Sequence, residues 1–262
     1  MKSKKRFWIS TLGLFCVLIT ILFFFLSRPF KEGLPIDYSD RRYYIAHAGG
    51  EIDGHAYTNS KEALLASLDK GYRYVELDFD LTSDGCLVCA HGALVFNKMT
   101  NGRSTDSMPC LGEFRSRMIY GQFTPLIAKD VIDLMKSRRF TLLVDLYSDP
   151  VVIDQYFSEL KDGIIVESSS VSNYTGLKKR GYIAAFSMGH VNVKNILLLL
   201  SCRIISNTPI DYITVSTDCN YITLRCLKRL FGFQVFAFTC NSVTYLHEHL
   251  GKEVDMVYTD SL

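Results

Sequence analysis

The sequence predicts an α/β protein, a (β/α)8 TIM-type barrel preceded by one N-terminal transmembrane helix. Eight short β-rich runs alternate with helical runs, and at 262 residues the chain has the length at which such barrels form one domain. A long uncharged stretch precedes the first of these runs. The net charge of only +2, with no basic stripe, excludes nucleic-acid binding as the expected function.

The N-terminal apolar stretch is FWISTLGLFCVLITILFFFLS, which carries no charge over 21 residues. About 20 apolar residues suffice to cross a bilayer. The stretch ends in bulky residues without a small-residue cleavage site, which disfavours the alternative of a signal peptide. Four basic residues precede it, so the N-terminus is predicted to be cytoplasmic. We expect a basic cytoplasmic tail over 1–6, a single-pass anchor over 7–27, a linker over 28–42 and an extracytoplasmic barrel over 43–262.

The predicted barrel strands are short runs rich in β-branched and aromatic residues. They are YYIAH from Tyr43, YVELDF from Tyr74, TLLVDLY from Thr141, GIIVESS from Gly163, GYIAAFS from Gly181, DYITVST from Asp211, QVFAFT from Gln234 and DMVYT from Asp255. Helical runs lie between them, such as SKEALLASLDKG and YITLRCLKRLFG, and several end at a glycine, as helices commonly do. LVCAH, from Leu87, is predicted to be an extra strand paired with the second.

The carboxyl ends of these predicted strands carry many polar side chains, including His47, His91, Asp145 and Glu167. Catalytic residues of such barrels come from this end. On the second strand, Glu76, Asp78 and Asp80 alternate, and side chains two apart in a strand point the same way. A bound cation would relieve the repulsion between these carboxylates.

The cysteines predict no redox or zinc site. Seven of the eight lie outside the apolar stretch, an odd number that would leave at least one thiol free or intermolecular in an oxidising compartment. Cys86 and Cys89 have C-x-x-C spacing, but side chains three apart on a strand face opposite sides. We therefore expect small buried residues there.

Six short motifs occur in an order that is typical of one enzyme family. IAHAGG, with His47, ends the first predicted strand, and YTNSKEALLASLDKG follows it. ELD and the turn TSDG precede a strand that ends at His91, and TPLIAKDVIDLM, FAFTCN and VYTDSL come later. From about Tyr43 to the C-terminus, the chain resembles the glycerophosphodiester phosphodiesterase family, within the phosphatidylinositol-phospholipase-C-like phosphodiesterases.

The resemblance implies a metal-dependent phosphoric diester hydrolase. Glu76, Asp78 and Asp145 would bind a divalent cation, and ligands that are all oxygen atoms favour Ca²⁺ or Mg²⁺. His47 and His91 would be the acid–base pair, one deprotonating the attacking hydroxyl while the other protonates the leaving oxygen. The family also implies attack by a neighbouring hydroxyl of the substrate, giving a cyclic phosphate that water then opens.

The chain departs from the family pattern where phosphate contacts are expected. Ala48 stands in place of an arginine, Tyr147 in place of a lysine and Phe238 in place of a tryptophan. The loop AGGEIDGHAYT, which contains Glu51, is also unusual. We expect Asn59, Glu51, Tyr147 and Phe238 to contact the substrate. The loss of two cationic side chains indicates a different substrate or weaker activity.

The most specific hypothesis is hydrolysis of glycerophosphodiesters or related phosphodiesters, from a lipid headgroup or a glycerol-phosphate surface polymer. Two alternatives stay open: a non-catalytic barrel that binds a phosphorylated ligand, and a phosphodiester transferase of envelope or surface glycan metabolism. Retention of two histidines argues against the binding protein, because binding requires no proton transfer. No organic cofactor is expected, the membrane is a partner through 7–27, and the sequence does not indicate an oligomeric state.

Overall fold

The computed structural model describes residues 2–30, 36–102, 106–207 and 209–262. The side chains of 2–12, 14, 15 and 206 fall outside this description, as do residues 31–35 of the predicted linker.

The strands are β1 (Tyr44–Ala46), β2 (Tyr74–Leu81), β3 (Leu87–Cys89), β4 (Thr141–Asp145), β5 (Ile164–Ser168), β6 (Ile183–Gly189), β7 (Tyr212–Ser216), β8 (Gln234–Phe238) and β9 (Met256–Thr259). The helices are α1 (Lys2–Ser27), α2 (Lys61–Asp69), α3 (Gly92–Met99), α4 (Leu111–Ser116), α5 (Ala128–Ser137), α6 (Pro150–Phe157), α7 (Val171–Lys179), α8 (Val193–Ser206), α9 (Tyr221–Phe231) and α10 (Val243–His249).

Eight parallel strands form a closed barrel. They follow one another in the order β1, β2, β4, β5, β6, β7, β8 and β9, and β1 pairs with both β2 and β9. β3 lies outside this ring and pairs antiparallel with β2, with Val88 opposite Asp80. The prediction of a (β/α)8 barrel with one extra strand is confirmed.

Several helices begin where a side chain caps the first turn. Ser60 accepts a hydrogen bond from the Ala63 backbone N–H at 3.3 Å, and α2 begins at the next residue, Lys61. Asp149 caps α6 in the same way, ahead of a proline whose fixed φ suits a first helical position. At the other end of α9, Gly232 adopts the left-handed conformation with φ 73°, as the glycine there predicted.

The period of two along each strand divides the side chains between the barrel interior and the surrounding helices. One apolar layer fills the interior, and it consists of Ile45, Leu143, Ile165, Ala185, Phe236, Met256 and Tyr258. The residues two positions further along five of these strands face the same way, and they are His47, Asp145, Glu167, Ser187 and Phe238. The interior therefore changes from apolar to polar toward the carboxyl ends of the strands.

A second cluster of apolar residues lies outside the barrel, between β3 and the segment that runs to α5. Phe96 of α3 stacks on Phe114 of α4, with ring centroids 4.4 Å apart, and Val88 and Phe123 are buried in the same cluster. This cluster fixes the segment that follows His91 against one side of the barrel.

The N-terminal residues form helix α1, whose C-terminal end contacts α9. The Arg229 guanidinium donates hydrogen bonds to the backbone carbonyl of Leu26 and, at 2.5 Å and 3.3 Å, to those of Arg28 and Pro29. Among the residues described, no helix combines the length and the apolar character needed to cross a membrane. The predicted transmembrane anchor over 7–27 is therefore not supported, and the extracytoplasmic location that depended on it stays a prediction.

Candidate active site

A pocket of about 120 Å³ opens at the carboxyl ends of the barrel strands. It is lined by His47, Tyr57, Glu76, Asp78, His91, Asp145, Glu167, Ser187, Phe238 and Tyr258. A larger cavity of about 640 Å³ lies beside α4, but neither histidine of the predicted acid–base pair lines it, nor does any residue of the carboxylate set. The smaller pocket is the one that brings histidines and buried carboxyl groups together.

Three carboxylates at this pocket form a set that can hold a metal ion. One oxygen each from Glu76, Asp78 and Asp145 lies within 4.8 Å of the other two. The set arises because β2 and β4 are parallel neighbours in which Asp78 is the register partner of Asp145. Glu76 and Asp78 are almost completely buried. Burial raises the pKa of Glu76 well above its usual range, and the charges of Asp78 and Asp145 raise it further.

The carboxylates are oriented by neighbouring hydrogen-bond donors, mostly backbone N–H groups. The Ala48 N–H donates to Glu76 Oε2 at 2.7 Å, and the Leu146 N–H donates to Asp145 Oδ1 at 2.6 Å. Asn59 donates from Nδ2 to Asp78 Oδ2 at 2.9 Å, while its Oδ1 accepts the Asp78 backbone N–H at 2.9 Å. Glu76 Oε1 is buried and has no hydrogen-bond partner among the residues described. A cation would satisfy this oxygen.

His47 is held by an acid from the last strand of the barrel. Its Nδ1 lies 2.8 Å from Asp260 Oδ1, and Asn241 Nδ2 donates to the other oxygen of Asp260 at 2.7 Å. Burial acts to raise the pKa of Asp260, but the hydrogen bonds from His47 and Asn241 bring it below its usual value. Asp260 is therefore an anion that accepts the Nδ1 proton, which leaves Nε2 of His47 toward the pocket, 4.0 Å from Glu76 Oε2.

His91 reaches the same pocket from the end of β3. It follows β3 and precedes α3, and it is exposed whereas His47 is buried. Its charge favours the ionised form of Asp78, against the burial that raises the pKa of that carboxyl group. The pocket thus brings the two predicted acid–base residues together with the three predicted metal ligands.

A fourth acid lies in the barrel interior beside this set. Glu167 is buried and accepts a hydrogen bond from the hydroxyl of Tyr258. Burial raises the pKa of Glu167 well above its usual range, and the charge of Asp145 adds to the effect. Glu167 thus adds a further potential negative charge to the wall of a pocket whose lining, among the residues described, includes no lysine or arginine.

The predicted substrate contacts occupy different places. Phe238 lines the pocket, and Asn59 contacts Asp78 directly. Glu51 is partly exposed and its backbone N–H donates to the carbonyl of Asp260 at 2.8 Å. Tyr147 packs against the apolar layer between the barrel and the helices. Neither Glu51 nor Tyr147 lines the pocket, so substrate contact through them stays a prediction.

Asp260 and Tyr57 are among the residues of the site to which the sequence assigned no role. Asp260 follows β9, and the pairing of β9 with β1 brings it beside His47. In a closed barrel the last strand lies beside the first, so the position of this acid could have predicted the contact. Tyr57 lies in the loop after β1, and no local pattern indicates that its side chain turns toward the pocket.

Comparisons with known proteins identify the family and support the fold. The model of the glycerophosphoryl diester phosphodiesterase family matches residues 48–188, more than half of the chain. A search of curated proteins returned no significant match.

Several solved structures share the fold. A phosphodiesterase from Oleispira antarctica, in complex with the product sn-glycerol-3-phosphate, is 17% identical, covers 83% of this chain and 92% of its own, and has a TM-score of 0.68. Glycerophosphodiester phosphodiesterases from Agrobacterium tumefaciens and Thermotoga maritima are also similar. The first is 17% identical over 83% of this chain and 96% of its own, with a TM-score of 0.63. The second is 18% identical over 83% and 94%, with a TM-score of 0.62.

The structural similarities establish the fold, and the match to the family model extends over β2 with its two carboxylates, His91 and Asp145. We conclude that this chain belongs to the glycerophosphoryl diester phosphodiesterase family, a family of phosphodiester hydrolases.

Proposed function

We propose that the protein is a metal-dependent phosphodiesterase that hydrolyses glycerophosphodiesters by acid–base catalysis with His47 and His91. The observation that carries the proposal is the convergence, around one pocket, of both histidines with three carboxylates, one of which has a buried oxygen with no hydrogen-bond partner in the described part of the chain. Membership of a phosphodiester hydrolase family supports the reaction class.

The carboxylate set suits a hard divalent cation. Glu76, Asp78 and Asp145 offer oxygen ligands only, which favours Mg²⁺ or Ca²⁺ over zinc. When bound, such an ion polarises a phosphoryl oxygen and neutralises the charge that grows during displacement. Because the described lining of the pocket holds no lysine or arginine, we expect substrate binding itself to depend on the ion.

His47 is the proposed general base. Its Nδ1–H donates to Asp260, so its Nε2 carries the free lone pair and faces the pocket. There it takes the proton of the attacking hydroxyl, for which we propose a neighbouring hydroxyl of the substrate's own glycerol unit. Water then opens the resulting cyclic phosphate, and His47 returns its proton to the hydroxyl oxygen that is released. In each step both the bond formed and the bond broken are P–O bonds.

His91 is the proposed general acid. It is exposed at the start of α3, on the side by which a departing alcohol reaches solvent. As a protonated imidazole it donates to the leaving oxygen as the P–O bond breaks, and it recovers its proton when water enters. The opposite exposures of the two histidines support this division of roles.

The substrate class follows from the size of the pocket. At about 120 Å³ it is small beside the 300–1,000 Å³ of ordinary ligand sites, so it suits a phosphoryl group with a small alcohol. The product sn-glycerol-3-phosphate in the Oleispira antarctica structure is a molecule of this kind. We therefore propose a glycerol phosphate unit inside the pocket and the second alcohol outside it.

The test is turnover by the full chain with glycerophosphodiesters and short glycerol-phosphate oligomers, with added Mg²⁺ or Ca²⁺ and with a chelator. We expect metal-dependent release of glycerol phosphate that His47→Ala and His91→Ala each abolish. His190→Ala is the matched control, because this histidine follows β6, is exposed and contacts Asp218 rather than the pocket.

Two results would overturn the proposal. Full activity in His47→Ala or His91→Ala would show that the histidines do not transfer the protons. Binding of metal without turnover of any diester would favour the non-catalytic barrel, and product formed only with an added acceptor alcohol would favour the transferase.

A further inference from the structure

Tyr57 lies against both histidines of the pocket. Its ring centroid is 4.4 Å from that of His47 at an interplanar angle of 78°, and 5.8 Å from that of His91 at 72°. Both contacts are edge-to-face, the arrangement that aromatic pairs favour. One side chain thus touches the proposed base and the proposed acid.

The loop that carries Tyr57 is fastened at several points. Ile52 and His55 exchange backbone hydrogen bonds of 3.0 Å and 2.9 Å, and the Glu51 N–H donates to the carbonyl of Asp260. The His55 ring stacks on Tyr120, with centroids 4.2 Å apart and an angle of 26°. The loop is therefore tied to β9 on one side and to the segment before α5 on the other.

The backbone of Tyr57 is strained in this position. Its φ is 64°, in the left-handed region that bulky residues seldom adopt. Such a conformation persists when the surrounding contacts impose it, and it is concentrated at functional sites. Here the imposed conformation turns a large ring into a wall of the pocket, with 36% of the residue's surface exposed.

We propose that Tyr57 is a positioning and specificity residue of the phosphodiesterase site. Its ring holds the two imidazoles in place for proton transfer and limits the size of the alcohol that fits beside the phosphoryl group. The inference rests on the proposed function and adds to it a residue outside the acid–base pair and the metal ligands. It depends on the ring and not on the hydroxyl.

The experiment compares Tyr57→Ala and Tyr57→Phe in the full chain, with saturating Mg²⁺. Because misplacement of a catalytic group by about 1 Å can lower a rate about 100-fold, we expect Tyr57→Ala to lower kcat for glycerophosphocholine by about 10- to 100-fold. KM should change less, by about threefold, because the ligands of the metal are untouched. Tyr57→Phe should stay within about threefold of the wild type in both constants.

A second substrate tests specificity. The wider pocket of Tyr57→Ala should favour 1-hexanoyl-glycerophosphocholine, which is bulkier but keeps the hydroxyl next to the phosphate, so the ratio of kcat/KM for this bulky diester to that for glycerophosphocholine should rise at least about fivefold. Tyr43→Ala is the matched control: this tyrosine precedes β1, at the opposite end of the barrel, and its loss should leave the ratio unchanged. Thermal unfolding and calorimetric Mg²⁺ binding identify any variant that fails to fold.

The outcomes separate this inference from the function on which it rests. A wild type that binds Mg²⁺ but turns over neither diester would overturn the proposed function and the role of Tyr57 with it. An active wild type with unchanged kcat and unchanged substrate ratio in Tyr57→Ala would overturn the role of Tyr57 alone. An equal loss in Tyr57→Phe would transfer the role to the hydroxyl and would likewise contradict the proposal. If Tyr57→Ala does not fold, Tyr57→Leu, which keeps an apolar side chain but no ring, is expected to give the same loss and the same rise in the ratio.

Discussion

Replacing Asp260 by asparagine removes the charged acceptor that orients His47, while the imidazole itself is retained. The bond between His47 Nδ1 and Asp260 Oδ1 is 2.8 Å long and joins a donor to a charged acceptor. Hydrogen bonds to charged groups contribute about 1.5–3 kcal/mol. Since about 1.36 kcal/mol corresponds to a factor of ten in rate, Asp260→Asn should lower kcat/KM about 10- to 150-fold.

The assay is release of glycerol phosphate from a glycerophosphodiester at saturating Mg²⁺ and neutral pH. Asp218→Asn is the matched control, because Asp218 Oδ1 also lies near a histidine, 3.3 Å from His190 Nδ1, but on the exposed surface. We expect the control to keep the activity of the wild type. Full activity in Asp260→Asn, or an equal loss in the control, would refute the assignment of His47 as an oriented base.

Three further predictions concern the metal site and the stability of the barrel. Asn59→Ala should weaken Mg²⁺ binding about 10- to 100-fold in calorimetry, because Asn59 orients Asp78; an unchanged affinity with a raised KM would make Asn59 a substrate contact instead. Burial raises the pKa values of the four carboxyl groups in the pocket. The native state therefore keeps protons at a pH where the unfolded chain has already released them. The free energy of unfolding then falls as the pH rises from the ordinary carboxyl pKa toward the raised pKa of the native state. Without metal, Tm should therefore be higher near about pH 5 than near about pH 8, and saturating Mg²⁺ should reduce this difference; an identical pH dependence with and without Mg²⁺ would argue against a metal at these groups. Glu253→Ala should lower the free energy of unfolding by about 3 kcal/mol and Tm by roughly 6–12 °C, because it leaves Arg225 without its buried partner; a Tm within about 2 °C of the wild type would contradict this.

The barrel could be predicted from the sequence because each strand signals its own faces. In β2, the apolar Val75 and Leu77 alternate with Glu76 and Asp78. In the structure, Val75 and Leu77 face the surrounding helices, and Glu76 and Asp78 face the barrel interior. The alternation also placed both carboxylates on the same face of the strand. What the pattern of one strand cannot show is which neighbour completes the set, and that depends on the pairing of β2 with β4.

The loop after β1 could not be predicted in the same way. Its course depends on contacts between residues far apart in the chain, such as the stack of His55 on Tyr120 and the bond from Glu51 to Asp260. Asn59 illustrates the consequence: the sequence predicted a substrate contact for it, and no local pattern indicated the hydrogen bond that it donates to Asp78. Side chains in irregular segments lack the periodicity that made the strands readable.

The contact between His47 and Asp260 also links the proposed base to the completion of folding. The two residues are separated by 213 positions and meet only across the seam where β9 pairs with β1. Contacts of such sequence separation form late and slowly. On the proposed mechanism, a partly folded or nascent barrel therefore lacks an oriented base, and hydrolytic activity is expected to appear only after the ring closes.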